Sequence, residues 1–185
     1  YSEPPTQLSR AEVFEALKPL FFDTELIKVG HNVKFDARTI AKYYGELPVG
    51  PFHDTMLLQH VLDENISSFR LTSLLSHNFD DHDPYHRHGK LGAVISQTAF
   101  SAACQYVHLD ARWTWLLYQR LLRGLSRSED LMNVLTQDSE VLEVLMDMEH
   151  TGMQVDYRGM EILGEELDER LGSIRSDISA LTYPG

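Results

Sequence analysis

Two short acidic signatures lie close together between Leu20 and Ile40: Asp23-Thr24-Glu25 and Asn32-Val33-Lys34-Phe35-Asp36. A third, Tyr106-Val107-His108-Leu109-Asp110, follows about 70 residues later. Residues four apart on a helix share a face, so the phenol of Tyr106 and the carboxylate of Asp110 project together and can share one ligand. A core tyrosine next to a surface aspartate gives the same letters. Asn32 follows an apolar run ended by Gly30 and opens a helical pattern with Asp36 in its first turn. The C-terminal edge of a strand is where α/β sheets place their sites. A helix cap followed by a charge that suits the helix dipole explains those residues equally well. Neither signature decides alone.

The elements that must position these residues can be read from apolar spacing. Ser9-Arg10-Ala11-Glu12 is a capping box, and Val13, Leu17, Leu20 and Phe21 follow at helical intervals, with Pro19 weakening the last turn. Leu26 to Val29 reads as a short buried strand ended by Gly30, and Val33 to Tyr44 as a helix stopped by Gly45. Phe52 to Met56 reads as a second strand edge leading into a helix over Leu57–Leu62, and Leu71–Leu75 as one more short helix. A long helix runs from Ser101 to about Gly124 along Ala102, Tyr106, Leu109, Trp113, Leu116, Leu117 and Leu121. Gly124 to Asp130 is the expected linker. Beyond it stand two helices. The first, Leu131 to His150, carries Val134, Val141, Leu142, Leu145 and Met148 and ends at Thr151-Gly152, where glycine can adopt the left-handed cap. The second starts near Asp156 and lines up Met160, Leu163, Leu167, Leu171, Ile174 and Ile178 in a narrow stripe suited to a helical hairpin. The whole suits an α/β domain followed by a helical segment.

At 185 residues the chain has room for one domain, or one domain plus a piece of another. With 43% hydrophobic and 24% charged residues it is globular in composition, and no apolar run approaches the roughly 20 residues of a membrane helix. A soluble protein without membrane partners is therefore expected. Its start, Tyr1 to Arg10, lacks the basic and apolar regions of a secretory signal, and one cysteine, Cys104, fits a reducing cytosol. A formal charge of −12 argues against coating nucleic acid through the overall field. It leaves room for a carboxylate site whose neutralising charge arrives with a divalent cation.

Taken together, Asn32 to Asp36 and Tyr106 to Asp110 resemble the second and third exonuclease motifs of the proofreading domain of family A DNA polymerases, the DNA polymerase I group. The segments LKPLFFDTELIKVGHNVKFDARTIAKYYG and FHDTMLLQHVLD look like the family's surroundings of motif two, and CQYVHLDARWTWLLYQRL looks like its motif-three helix. VLEVLMDMEHTGMQVD is similar to the entry into the polymerase domain. The resemblance implies a ribonuclease H-like 3′-5′ exonuclease fold lacking its first strands over residues 1–127. Residues 128–185 would begin the polymerase domain, a helical hairpin toward the thumb. It also implies a DEDD-type site, four carboxylates with two divalent ions, Mg²⁺ or Mn²⁺, hydrolysing the terminal phosphodiester of DNA and releasing 5′ nucleotides. In that scheme Asp36 and Asp110 are metal ligands and catalytic acids, and Tyr106 positions the attacking water. Asn32 and Phe35 contact the DNA end. The implied partners are a single-stranded 3′ end or primer-template and the rest of the polymerase chain, in the cytoplasm of a bacterial or phage-infected cell.

The family's first motif is D-x-E on the first strand of its sheet. Asp23-Thr24-Glu25 has those letters before the wrong strand: only six residues separate Glu25 from Asn32, and a strand starting at Leu26 consumes that interval. The pair is expected to be a decoy, with the true motif upstream of Tyr1 in a longer polymerase, or lost. Two rival readings follow, a catalytically silent exonuclease-like scaffold bracing a polymerase and a ribonuclease D-like exoribonuclease.

Weaker signals remain. His82, His86 and His88 with Asp80, Asp81 and Asp83 form a histidine-rich acidic stretch, expected to be a hydrated loop rather than a zinc site. Trp113 and Trp115 cannot share a helix face, so one should be core and the other half exposed. Asp54 is a candidate support for the site, or a strand-end turn. Lys34, Arg38 and Lys42 form a basic helix face that either guides phosphates or is simply solvated.

Overall fold

A computed structural model describes residues 7–80 and 99–182, so the stretch from Asp81 to His88 lies outside the described residues. Helix α1 (Arg10–Phe21) opens on the expected capping box: Ser9 Oγ accepts from the Glu12 N–H, and the Glu12 carboxylate accepts from the Ser9 N–H at 2.8 Å. Pro19 sits inside its last turn. Strand β1 (Lys28–Gly30) leads into α2 (Val33–Tyr44), which stops at Gly45 in the left-handed conformation. Strand β2 (Phe52–Asp54) leads directly into α3 (Thr55–Leu62), and α4 covers Leu71–Asn78. The long α5 (Phe100–Leu125) and α6 (Glu129–Thr151) are separated by three residues, Ser126 to Ser128. Helix α7 (Tyr157–Thr182) closes the described chain.

Among the described residues the sheet consists of β1 and β2, paired in parallel with Gly30 opposite Asp54. The result is a mostly helical α/β fold around a small parallel sheet. The first strand is shorter than its apolar run suggests. Leu26 and Ile27 are exposed, and the strand itself is half-buried rather than buried. Two described strands supply no further neighbour to cover that end.

Two clusters hold the elements in place. Leu58, Leu74, Leu75, Leu117, Leu121, Leu125 and Leu135 form the larger one, bringing α3, α4, α5 and α6 together. Val33, Ala37, Phe52, Leu142 and Met146 form the second, which fixes α2 and β2 against α6. Helix α1 contributes no buried residue; its Phe14 stacks on Tyr43 at 4.0 Å, and Tyr44 Oη donates to the Phe14 carbonyl.

Helix α6 corrects one expectation. Val134, Val141, Leu145 and Met148 are exposed, and the buried side is Leu135, Leu142 and Met146. Adjacent apolar pairs such as Val134-Leu135 and Val141-Leu142 draw two neighbouring stripes on the helix, and periodicity cannot choose between them. Because α6 feeds both clusters, the chain divides into compact units between His150 and Thr151. In the second unit, Gly152 adopts the expected left-handed conformation, and α7 exposes Met160, Leu163, Leu167, Leu171, Ile174 and Ile178.

Candidate active site

The parallel pairing ends both strands at the same level, so the chain leaves β1 and β2 side by side and enters α2 and α3 there. Gly30 makes the first exit tight: a Cβ on it would lie 3.2 Å from Val33 Cβ and Cγ2. Asn32 then turns the chain with φ 62°, a left-handed conformation that asparagine tolerates better than most residues. Its side chain makes no capping hydrogen bond, so the helix-cap explanation of Asn32 does not hold.

The cap comes from Asp54 instead. Its Oδ1 accepts from the N–H groups of Asn32 and Met56, each at 2.9 Å, and its Oδ2 accepts from the Val33 N–H at 2.8 Å. One carboxylate, only 4% exposed, thus serves the starts of two helices at once. The next residue, Thr55, is fully buried, and its hydroxyl lies 2.8 Å from His31 Nδ1 and 3.3 Å from the Gly30 carbonyl. His31, Thr55 and the shared cap are parts of the site that apolar spacing did not bring out. The one available signal was the Asp54-Thr55 step, a good N-cap just before an apolar run.

This edge faces the middle of α5 across a cleft of about 680 Å³. Asn32, Phe35, Asp36, Tyr106 and Asp110 all line it, so the structure brings every sequence-predicted site residue to one place. Phe35 stands exposed at the mouth, 66% accessible, and Trp115 lines the wall from α5. Trp113 packs inward against the larger cluster, as one of the two tryptophans was expected to do. Asp23 and Glu25 are not in the cleft. Asp23 Oδ1 accepts from the N–H groups of Glu25 and Leu26, a turn before β1 at the far end of the strand from Asp36. On the basic face of α2, Lys34 is committed to Glu149 at 2.5 Å.

The electrostatics show that the carboxylates sense one another. Burial raises the pKa of Asp36 above its ordinary value, and the negative charges of Asp54 and Asp110 raise it further. The residue as a whole is exposed, yet enough protein surrounds its carboxyl for this to operate. Burial lowers the pKa of His31, favouring the neutral ring, while Asp54 and Asp110 oppose that shift. Converging carboxylates that resist joint ionisation are the oxygen donors a hard cation prefers. Among the described residues no cluster of three or more His, Cys, Asp or Glu side chains forms. The donor set therefore fits an ion held by one or two carboxylates, with water and substrate phosphates completing its shell, as Mg²⁺ commonly is.

A family model of 3′-5′ exonucleases matches residues 4–126. The chain belongs to this family, the exonuclease domain of family A DNA polymerases. It is 32% identical over 177 residues to DNA polymerase I of Pseudomonas aeruginosa, covering 92% of this chain and 19% of that protein. Identity is 28% over 176 residues with DNA polymerase I of Chloroflexus aurantiacus, covering 91% and 18% of the two chains. With DNA polymerase I of Synechocystis it is 29% over 185 residues, covering 92% and 17%. The chain thus spans about a fifth of the length of these relatives. No helix among the described residues is long and apolar enough to cross a membrane.

Proposed function

We propose that this chain is the proofreading part of a DNA polymerase I-type enzyme and removes mispaired nucleotides from DNA 3′ ends in a bacterial cytoplasm. Residues 1–127 form the exonuclease portion, a ribonuclease H-like fold without its first strands, and residues 128–185 begin the polymerase domain toward its thumb. The observation that carries the reading is the convergence of Asn32, Phe35, Asp36, Tyr106 and Asp110 on one cleft at the strand ends. Asp36 and Asp110 hold divalent ions, with a pair of Mg²⁺ or Mn²⁺ as the full complement. Held there, such ions would supply positive charge to the phosphodiester being cleaved. Tyr106, one helical turn before Asp110, orients the attacking water toward the phosphorus. Phe35, exposed at the mouth, offers a stacking surface to the terminal base, and Asn32 offers its amide to the strand end. Hydrolysis leaves the phosphate on the released 5′ nucleotide.

A second reading is a silent exonuclease-like scaffold that braces the polymerase. A single assay separates the two. A 5′-labelled single-stranded oligonucleotide, incubated with Mg²⁺ or Mn²⁺ and the polymerase carrying this segment, is expected to shorten stepwise from its 3′ end. Asp110→Ala is expected to slow this by about a hundred-fold or more. Shortening at an equal rate in that variant would remove Asp110 from the site, and no shortening by the parent protein would favour the brace.

A further inference from the structure

A second cleft, about 500 Å³, opens at the C-terminal end of α5 and is lined by Leu62, Asn78, Arg120, Arg123, Gly124 and Arg127. Its charge runs against that of the chain. From Ala111 to Ser128 there are four arginines and no Asp or Glu, in a protein of net charge −12. Among the described residues the one ion pair is Lys34 with Glu149, and no described carboxylate lies within ion-pair distance of these arginines.

The guanidinium of Arg120 is oriented from the core outward. Gln59, 1% exposed, accepts from Asn78 Nδ2 at 2.9 Å, and the Leu74 carbonyl accepts from the same amide. Asn78 Oδ1 in turn accepts from Arg120 Nε at 3.3 Å, and the ring of Phe79 lies under the guanidinium at 5.4 Å. Arg123 donates Nε to the Gln119 carbonyl at 3.1 Å. In both cases the hydrogen bond uses Nε, leaving the terminal nitrogens, the pair that grips phosphate oxygens, directed away from it. Stabilising the negative end of a helix would need one such side chain, not three around a cavity.

We propose that this arginine cleft is a second nucleic-acid contact that holds backbone phosphates of a DNA strand whose 3′ end lies in the first cleft. This rests on the exonuclease reading for the identity of the ligand. Arg120 and Arg123 stand ten and thirteen residues beyond Asp110 on the same helix. At about 1.5 Å per residue that is roughly 15–20 Å along the helix axis, with the arginines turned about 80–140° round the helix from Asp110, so a strand joining the two clefts also curves about α5. A stacked strand rising about 3.4 Å per nucleotide covers the distance in about four to six nucleotides. The two clefts would together read strand length: a short end fills the first alone, and a longer strand engages both.

The test uses the whole chain, without divalent cations so that DNA stays intact. Fluorescent oligonucleotides of four and twelve nucleotides are titrated from about 50 to 200 mM salt and followed by anisotropy. Neutralising three phosphate contacts should flatten the slope of log affinity against log salt by about 2 for single strands. The Arg120→Gln/Arg123→Gln/Arg127→Gln variant is therefore expected to lose about twenty-fold less affinity than the parent over that range, on the twelve-mer only. The corresponding triple Lys variant is expected to keep the parent's slope and guards against misfolding as an explanation. An unchanged slope in the Gln variant, with DNA still bound, overturns the proposal and leaves the exonuclease reading standing. Loss on both oligonucleotides alike also overturns it. If the arginines bind inorganic phosphate or a mononucleotide and no oligonucleotide, the ligand is a small phosphate and the DNA assignment falls. Failure of the parent to bind any DNA, together with failure to shorten it when Mg²⁺ is present, sinks the exonuclease reading too.

Discussion

Asp54 is the residue on which the cleft's geometry turns, and its replacement has a calculable cost. Asp54→Ala strips the acceptor from three backbone N–H groups, those of Asn32, Val33 and Met56. Losing a cap costs about 1 kcal/mol per helix, and a buried donor left without a partner costs about 1–3 kcal/mol. The total for Ala is about 3–5 kcal/mol. Asp54→Asn keeps the shape and one carbonyl, but its NH₂ must face at least one N–H that formerly had an acceptor, for a loss of about 1–3 kcal/mol. In a chain of this size each kcal/mol moves the melting temperature by about 2–4 °C. The Asn variant should therefore melt about 2–12 °C below the parent, and the Ala variant lower still. Thermal unfolding followed by circular dichroism measures both. Because the same carboxylate holds Asn32 in its left-handed turn, the Asn variant should also shorten DNA more slowly while remaining folded. Two variants melting within about 2 °C of the parent would refute the shared-cap argument, whatever their activity.

Other expectations follow from the same cleft. Mg²⁺ should raise the melting temperature with the logarithm of its concentration once that exceeds the Kd, and Asp110→Asn should abolish that rise; a rise of equal size in the variant would place the ion elsewhere. Asp36 has a raised pKa, so the fold favours its protonated form and the stability it contributes is lost as pH climbs through the folded pKa. Asp36→Asn should accordingly raise the melting temperature at neutral pH and halt DNA shortening. A neutral-pH melt no higher than the parent's would contradict it. Burial lowers the pKa of both His31 and His53, whose ordinary value is 6.5. Their contribution is complete above that pH and is lost as pH falls below it, a loss that His31→Gln should reduce in a melting series from pH 7 to about 5. Tyr106→Phe removes only the hydroxyl and should slow shortening by up to about a hundred-fold; an unchanged rate would take the phenol out of the reaction.

What could be read from the sequence was what local chemistry decides. The capping box at Ser9, the extent of α2 and its stop at Gly45 depend on residues a few positions apart, and they stand where spacing put them. The meeting of Asp36 with Tyr106 and Asp110 was legible only through family resemblance, since no local pattern links residues that far apart. The exclusion of Asp23 and Glu25 needed nothing more than the length of a strand. Asp54 was legible as a candidate support for the site, but not as a cap shared by two helices, because two of its three partners are 22 and 21 residues away. For Asn32 the sequence left a cap and a site role open, and the structure removes the cap because the group that satisfies the N–H donors comes from across the sheet. The buried side of α6 was ambiguous because two adjacent apolar stripes compete, and only its neighbours select one.

The pairing of Gly30 with Asp54 also sets when the centre can come into being. Asp36 and Asp110 are 74 residues apart, and nothing nearby in the chain brings them together. Contacts across so long a loop slow folding, and the two acids meet only where both strands and α5 have docked. A nascent polypeptide on the ribosome, or a molecule half opened by stress, carries two isolated acids with no common grip on a cation. On the proposed exonuclease reading, folding itself acts as the safety catch, because an immature chain lacks the assembled site.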